Sequence, residues 1–109
     1  MTIELTNPAL LRTEAYINGE WIAADSGARL PVTNPATGEL ITDVAKAGAD
    51  ETKRAIEAAE IAMVTWRQQP AKQRAQVMRR WFDLIMANQE DLARIMTLEQ
   101  GKTLAESRG

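Results

Sequence analysis

The side chains that most often carry enzyme chemistry are missing from this sequence. Its 109 residues include no cysteine and no histidine. Cysteine supplies thiolate nucleophiles, and histidine is the commonest general base and metal ligand near neutral pH. Ser26 and Ser107 therefore have no histidine that could activate them as nucleophiles. The sequence predicts no catalytic residue in this chain.

The stretch GKT at residues 101–103 is similar to the end of a phosphate-binding loop. That motif requires another glycine five residues before Gly101, where this chain has Met96, and it must follow a strand. Helical periodicity precedes Gly101 instead. Lys102 is better explained as a solvated lysine near a helix end. We therefore predict no cofactor-binding residue in the chain.

Two pairs of acidic residues have the spacing that acid–base chemistry could use. Glu57 and Glu60 share one helix neighbourhood, which is typical of a solvated face. Glu90 and Asp91 lie at a predicted helix start, where the helix dipole favours negative charge. No group of residues has the spacing of a zinc or calcium site. Each pair thus has a structural explanation, and neither indicates catalysis.

Composition restricts the class of protein. The chain is 45% hydrophobic and 26% charged, with a formal net charge of −2, which is typical of an ordinary globular segment of about one domain. A net negative charge does not indicate binding to nucleic acid or to an anionic membrane. The N-terminus shows no signal-peptide pattern, and no stretch approaches the roughly 18 apolar residues of a membrane span. We expect a cytoplasmic protein.

The first half of the chain is predicted to form two small β-hairpins, within about residues 15–47. Asn18-Gly19 lies between short β-favouring arms, and this dipeptide suits the positive φ angles of a type I′ turn. A second turn is predicted at 34–38, between a short strand around 31–33 and a strand over about 39–45. Residues 1–14 lack clear periodicity and are predicted to be a loosely held lead-in.

The second half, over about 50–100, has the apolar period of three amphipathic helices. Asp50 is predicted to cap the first helix, and Pro70 to lie in the first turn of the second. Asn88 and Asp91 resemble a capping pair for the third. Three aromatic side chains on the helical stripes are expected to pack in a core rather than stack on bases: Trp66, Trp81 and Phe82.

A further helix is predicted to start at Thr103, just after Gly101 ends the third one. Thr103 and Glu106 have the spacing of a capping box. The sequence therefore predicts an α+β fragment whose apolar helix surface exceeds what its small strands can cover. We expect another part of a longer polypeptide, or a second copy of this chain, to complete the core.

Several linked motifs resemble the N-terminal part of the aldehyde dehydrogenase superfamily, over about residues 16–109. They are YINGEW, VTNPATGEL, AIEAAEIAMVTW and RWFDLIMANQEDLARIMTLEQGKTLAES. The stretches GADET, RAQVMRRWFDLIM and MTLEQGKTLAE are similar in detail to the bacterial succinate-semialdehyde dehydrogenase branch. The resemblance implies that residues 15–109 are an incomplete N-terminal part of an α/β cofactor-binding domain.

The same resemblance implies the chemistry of a parent enzyme. Members of the family oxidise an aldehyde to a carboxylic acid with NAD or NADP, using a cysteine nucleophile, a general-base glutamate and an oxyanion asparagine. All three would follow Gly109, so this chain alone is expected to be inactive and to bind no cofactor. In several relatives a monovalent cation contacts positions that match the carbonyl of Thr33 and the side chain of Glu99. Glu99 has an equally good explanation as a solvated residue at a helix end.

Two hypotheses follow for the role of the chain. The first is a truncated N-terminal segment of a cytoplasmic dehydrogenase that acts on succinate semialdehyde. The second is a free-standing interaction or oligomerisation module that reuses this segment and pairs through its exposed apolar helix faces.

Overall fold

Two β-hairpins precede four α-helices in the computed structural model, which describes residues 3–109. The strands are β1 (Ala15–Ile17), β2 (Glu20–Ile22), β3 (Arg29–Thr33) and β4 (Leu40–Ala45). The helices are α1 (Ala49–Trp66), α2 (Ala71–Ala87), α3 (Gln89–Gln100) and α4 (Leu104–Arg108). This order confirms the predicted α+β arrangement of small hairpins followed by amphipathic helices.

The first hairpin turns at Asn18-Gly19, as its sequence predicts. Asn18 has φ 52° and Gly19 has φ 79°, the two positive angles that a type I′ turn requires. Across the hairpin, Tyr16 lies opposite Trp21 with ring centroids 4.9 Å apart. The aromatic pair therefore sets the register together with the turn.

The second hairpin closes through Asn34. The backbone N–H of Asn34 donates to the carbonyl of Glu39, and the N–H of Gly38 donates back to the Asn34 carbonyl. The Asn34 side chain accepts a hydrogen bond from the N–H of Ala36 at 2.9 Å. This side-chain bond to the backbone two residues on is the reason why asparagine is common in turns. The predicted turn over residues 34–38 is confirmed.

The helix starts differ in detail from the sequence predictions. α1 begins two residues earlier than predicted, with Gly48 rather than Asp50 as its N-cap, and the Glu51 carboxylate accepts the Gly48 N–H at 3.0 Å. Pro70 precedes α2 as its N-cap instead of lying in its first turn. Both shifts are of one or two residues, because any of several neighbouring residues can serve as the N-cap of a helix.

The predicted Asn88–Asp91 capping pair is wrong. Asn88 caps α3 only by position, since its side-chain amide donates back to the carbonyl of Leu84 in α2. The Asp91 carboxylate accepts from the backbone of the N-terminal segment instead. A single residue between two helices can serve the end of the first or the start of the second, and the sequence spacing does not decide which.

The N-terminal segment, which the sequence predicts to be a loosely held lead-in over residues 1–14, makes hydrogen bonds to the rest of the chain within residues 3–14; residues 1 and 2 lie outside the described residues. A 3-10 turn at Pro8–Leu10 is capped by Asn7. The carbonyl of Glu4 accepts from Arg94, and the carbonyl of Thr13 accepts from the N–H of Ala45. The segment is thus tied to α3 and to β4.

Very little apolar surface is buried. Among the described hydrophobic residues only Ala24 and Ala93 are buried. The radius of gyration is 16.7 Å, against about 13 Å for a compact domain of this length. The expectation that Trp66, Trp81 and Phe82 pack in a core is not met within this chain, because all three are exposed. The elements form without a core of their own.

Candidate functional site

Many of the exposed large hydrophobic side chains lie on α2. Successive helical residues are rotated by about 100°, so Val77, Trp81 and Ile85 form one stripe, flanked by Met78 and others. The apolar arc covers about 200° of the helix, roughly twice the width of the stripe on an ordinary surface helix. Trp81 is 60% exposed and Met78 is 52% exposed. A helix with so wide an apolar arc is normally buried on more than one side.

Open clefts lie along both sides of α2. One, of about 730 Å³, lies against the end of α1 and is lined by Ala62, Trp66 and Val77 with several arginines and glutamines. The other, of about 570 Å³, lies against α3 and is lined by Phe82 and Met96 among others. The second cleft has mainly apolar side chains in its walls, whereas the first combines apolar with polar and cationic ones, so the second is better suited to an apolar segment of a partner.

α1 carries a narrower apolar stripe. Ile56, Ala59 and Met63 line a cleft of about 670 Å³, and their spacing of three and four residues places them on one face. Ile56 is 63% exposed. This spacing is the one by which helices dock in grooves. The apolar surfaces of α1 and α2 together form the candidate interaction surface of the chain.

The predicted cation ligands lie in two segments that meet. Thr33 ends β3, and the exposed Glu99 lies in the last turn of α3. Two residues beyond each, the Pro35 ring packs against Gly101, where a Cβ atom would lie 2.8 Å from Pro35 Cγ. Residues 3–109 hold no group of three or more histidine, cysteine or acidic side chains that could bind a metal ion. A monovalent cation site at Thr33 and Glu99 stays a prediction.

Asp91 is a buried carboxylate that fixes the N-terminal segment. It lies in the first turn of α3, where the sequence predicts favourable negative charge. Its two oxygens accept the backbone N–H groups of Thr6 at 2.9 Å and Asn7 at 2.8 Å. These hydrogen bonds, that of Thr6 first, hold the pKa of Asp91 below its ordinary value, because they favour the charged form.

Glu51 likewise fixes the loop between β2 and β3 by accepting backbone N–H groups. The sequence did not predict this role. One oxygen accepts the N–H of Asp25 at 2.6 Å and the other that of Gly48. Backbone N–H donors, that of Asp25 first, lower the pKa of Glu51. Asp25 in turn receives two hydrogen bonds from Arg54, each 2.8 Å long. An acidic residue three positions after a glycine N-cap was the available signal.

The GKT stretch is structural. The N–H of Glu106 donates to the Thr103 hydroxyl, and the Glu106 carboxylate accepts the Thr103 N–H at 3.0 Å. This is the predicted capping box of α4. The preceding element is α3, a helix rather than a strand, so the requirement of a phosphate-binding loop is not met. Lys102 is half-buried beside this turn.

The hydroxyls of both serines make local hydrogen bonds, and neither bond is to a base. The Ser107 hydroxyl lies 2.8 Å from that of Thr97, and the Ser26 hydroxyl accepts the N–H of Ala28. Both hydroxyls therefore take part in local structure. The exposed Glu57 and Glu60 lie on α1, consistent with a solvated face.

The known proteins that this chain resembles are aldehyde dehydrogenases. A profile described as the aldehyde dehydrogenase family matches residues 21–109. Glutarate-semialdehyde dehydrogenase of Pseudomonas aeruginosa is 55% identical over 107 residues, which are 98% of this chain and 22% of that protein. The NADP(+) succinate-semialdehyde dehydrogenase of Escherichia coli K12 is 52% identical over 107 residues, again 98% of this chain and 22% of that protein.

A solved structure shows the same arrangement of elements. The crystal structure of succinate-semialdehyde dehydrogenase from Burkholderia pseudomallei superposes with a TM-score of 0.93 at 58% identity. The superposition covers 96% of this chain and 22% of that one. The chain therefore spans about a fifth of the length of the relatives that it matches.

Proposed function

The chain belongs to the aldehyde dehydrogenase family, and we propose that it is the N-terminal segment of an NAD(P)-dependent enzyme that oxidises succinate semialdehyde to succinate. The similarity to semialdehyde dehydrogenases at 52–58% identity supports the substrate class. These relatives are named for semialdehydes of two different dicarboxylic acids, glutarate and succinate. The choice of succinate semialdehyde, the shorter of the two, therefore goes beyond what these names share.

We propose that this chain by itself does not catalyse the reaction. The supporting observation is the absence of cysteine from its 109 residues, since the family resemblance implies a cysteine nucleophile. The oxidised nicotinamide cofactor would accept the hydride that the substrate loses. Everything that this chain contributes is therefore positioning and support.

The starts of α1 and α3 do not suit the pyrophosphate of a dinucleotide. A pyrophosphate binds best at a helix N-terminus that offers free N–H groups. The Glu51 carboxylate already accepts the Gly48 N–H at the start of α1, and Glu90 and Asp91 lie in the first turn of α3. These carboxylates would repel a phosphate. We therefore place the cofactor, NAD or NADP, on parts of the parent enzyme outside this chain.

The segment's role in the parent would be to pack the outer part of the cofactor-binding domain. We propose residues 15–109 as the incomplete N-terminal part of that domain and residues 1–14 as its lead-in. The open clefts along α2 support this role, because they leave apolar walls for other parts of a domain to cover. No helix in the described part of the chain is long and apolar enough to cross a membrane, and we propose a cytoplasmic location.

The exposed apolar faces also support a second candidate function. A free-standing chain could pair with a copy of itself through α1 and α2, because contiguous apolar patches on a soluble protein mark interaction sites. This module would have no enzymatic role. Sedimentation of the purified chain over a range of concentrations tests it, and a concentration-independent monomer would exclude it.

The activity proposal is tested on the polypeptide that carries this segment in the cell. We expect NAD(P)+-dependent oxidation with a higher kcat/KM for succinate semialdehyde than for glutarate semialdehyde or a simple aliphatic aldehyde. A preference for glutarate semialdehyde would overturn the proposed substrate but leave the proposed substrate class, semialdehydes of dicarboxylic acids, in place. The 109-residue chain alone, assayed in parallel, is expected to give no rate above the buffer control, and any such rate would overturn its proposed inactivity.

A further inference from the structure

The turn of the first hairpin, Asn18-Gly19 between β1 and β2, places an asparagine next to an unhindered backbone nitrogen. We propose that Asn18 is a site of spontaneous covalent modification, at which this asparagine converts into isoaspartate and aspartate. The isoaspartate form lengthens the turn and loosens the hairpin as the protein ages. This inference goes beyond the proposed function, because it depends on the turn and not on the substrate.

The chemistry is an attack of the backbone on the side chain. The Gly19 nitrogen gives its proton to hydroxide from the solvent and bonds to the carbonyl carbon Cγ of Asn18, and the side-chain nitrogen leaves as ammonia. The product is a five-membered cyclic imide. Water then opens the ring at either of its carbonyl carbons, which gives aspartate or isoaspartate. The net reaction consumes one water and releases one ammonia, and no electron is transferred.

The sequence makes Asn18 the asparagine best suited to this reaction. Of the four asparagines in the chain, Asn7 and Asn34 each precede a proline, whose nitrogen carries no proton. Asn88 precedes a glutamine, whose side chain crowds the backbone nitrogen, and its own amide donates a hydrogen bond to α2. Gly19 has no side chain that could hinder the attack.

Both reacting groups are free in the structure. Asn18 is exposed, and a Cβ atom built on Gly19 would meet nothing within 4 Å. Within residues 3–109, neither the Asn18 side chain nor the Gly19 N–H makes a hydrogen bond. Both residues line an open cleft of about 310 Å³ between the turn and α1. Hydroxide and water can therefore reach the turn.

The closed turn must open before the ring can form. Ring closure requires Cγ of Asn18 to swing onto the Gly19 nitrogen, whereas φ angles of 52° and 79° hold the backbone in its type I′ turn. In the described part of the chain, β1 and β2 form a sheet by themselves over three residue pairs. A two-stranded hairpin is only marginally stable. Brief opening of the hairpin therefore sets the rate.

Isoaspartate in the turn weakens the pairing of the two strands. Its main chain runs through Cβ and has one additional atom, so the loop no longer has the length of a two-residue type I′ turn. Turn type and loop length fix the register, which places Ile17 opposite Glu20 and Tyr16 opposite Trp21. Aspartate at the same position keeps the turn, because Asp-Gly suits type I′ as well. Loosening is thus specific to the isoaspartate form.

The test is ageing of the natural polypeptide in mildly alkaline buffer, followed by peptide mass spectrometry. We expect Asn18 to deamidate at least about tenfold faster than Asn88, because glycine leaves the attacking nitrogen open. The rate should rise with pH, since that nitrogen must lose its proton. Endoproteinase Asp-N, which cuts before aspartate and not before isoaspartate, separates the two products. Deamidation no faster at Asn18 than at Asn88, or without isoaspartate, overturns the proposal.

Trp21→Ala tests whether opening of the hairpin sets the rate. The Trp21 ring lies 4.9 Å from that of Tyr16 across the strands. Its removal is expected to speed deamidation of Asn18 about two- to fivefold, because cross-strand aromatic pairs hold a hairpin closed. Leu30→Ala, at an exposed position of the second hairpin, is the control and should leave the rate unchanged. An unchanged rate in Trp21→Ala would contradict the opening step.

The consequence for the hairpin is measured by hydrogen exchange of the aged protein. We expect the hydrogen-bonded amides of β1 and β2 to exchange at least about tenfold faster in the isoaspartate form. Asn18→Gly removes the reacting amide but keeps the turn, because Gly-Gly also forms type I′ turns, and it should show no change on ageing. Equal exchange in the aged and fresh natural protein, or an equal loss of protection in aged Asn18→Gly, would overturn the proposed loosening.

Discussion

The carboxylate of Asp91 accepts a hydrogen bond from the backbone N–H of Asn7 at 2.8 Å, across 84 positions of the sequence. A second bond, from Thr6 to the other oxygen, makes the contact bidentate. Asp91 is buried, with 5% of its surface exposed. Hydrogen bonds to an ionised acceptor are stronger than neutral ones. One side chain at the start of α3 therefore fixes the position of the backbone at Thr6 and Asn7.

Replacing Asp91 by asparagine should release the N-terminal segment. An amide has one acceptor oxygen, and its NH2 group would face the second backbone donor. We expect the amide protons of Thr6 and Asn7 to exchange at least about tenfold faster, measured by hydrogen exchange. Glu57→Gln, on the exposed face of α1, is the control and should leave both rates unchanged. Unchanged exchange in Asp91→Asn would show that other contacts hold the segment.

The free energy of unfolding should fall in acid through Asp91 and Glu51. Backbone N–H groups, led by those of Thr6 and Asp25, lower the folded-state pKa of these two carboxyls. The unfolded chain therefore binds more protons once the pH drops towards roughly 4. The stabilisation is fully present above the unfolded-state pKa and is lost as the pH falls through the folded-state pKa.

The measurement is denaturant unfolding from pH 7 down to about pH 2, followed by circular dichroism. The double variant Asp91→Asn, Glu51→Gln should show a shallower acid slope than the natural chain. A slope as steep as that of the natural chain would assign the pH dependence to other carboxylates.

Gly101→Ala should destabilise the chain more than Gly38→Ala. Both glycines have similar positive angles, φ 86° and 76°, but a Cβ at Gly101 would meet Pro35 at 2.8 Å whereas one at Gly38 meets nothing within 4 Å. Gly38→Ala should cost about 1 kcal/mol for the left-handed backbone. The clash should add about 1–3 kcal/mol to Gly101→Ala. Equal losses in denaturant unfolding would show that Pro35 moves aside freely.

The predicted monovalent cation site at Thr33 and Glu99 can be tested in the natural polypeptide. If Glu99 binds the cation, replacing K+ or Na+ by a large organic cation should lower the melting temperature, and Glu99→Gln should remove most of that difference. Glu60→Gln, an exposed carboxylate on α1, is the matched control. A melting temperature that does not depend on the cation would leave Glu99 as a solvated residue at the end of α3.

Local features were predictable because they depend on few neighbouring residues. Asn18-Gly19 specifies its turn by its own backbone preferences, and Thr103 with Glu106 specifies the start of α4 over four residues. The helices follow from apolar spacing alone. The absence of cysteine and histidine and the linked family motifs are likewise read from the sequence. These features gave the fold class and the family without any knowledge of long-range contacts.

Only the tertiary structure decided which partners the polar residues choose. Asp91 and Glu51 could have served as ordinary first-turn charges, yet each accepts backbone N–H groups from distant segments. The proximity of Pro35 to Gly101 likewise depends on where the turn after β3 lies relative to the end of α3. The sequence predicted that Trp81 would be in a core, and the structure shows it exposed. Periodicity identifies which face of a helix is apolar, whereas what covers that face depends on the position of every other element.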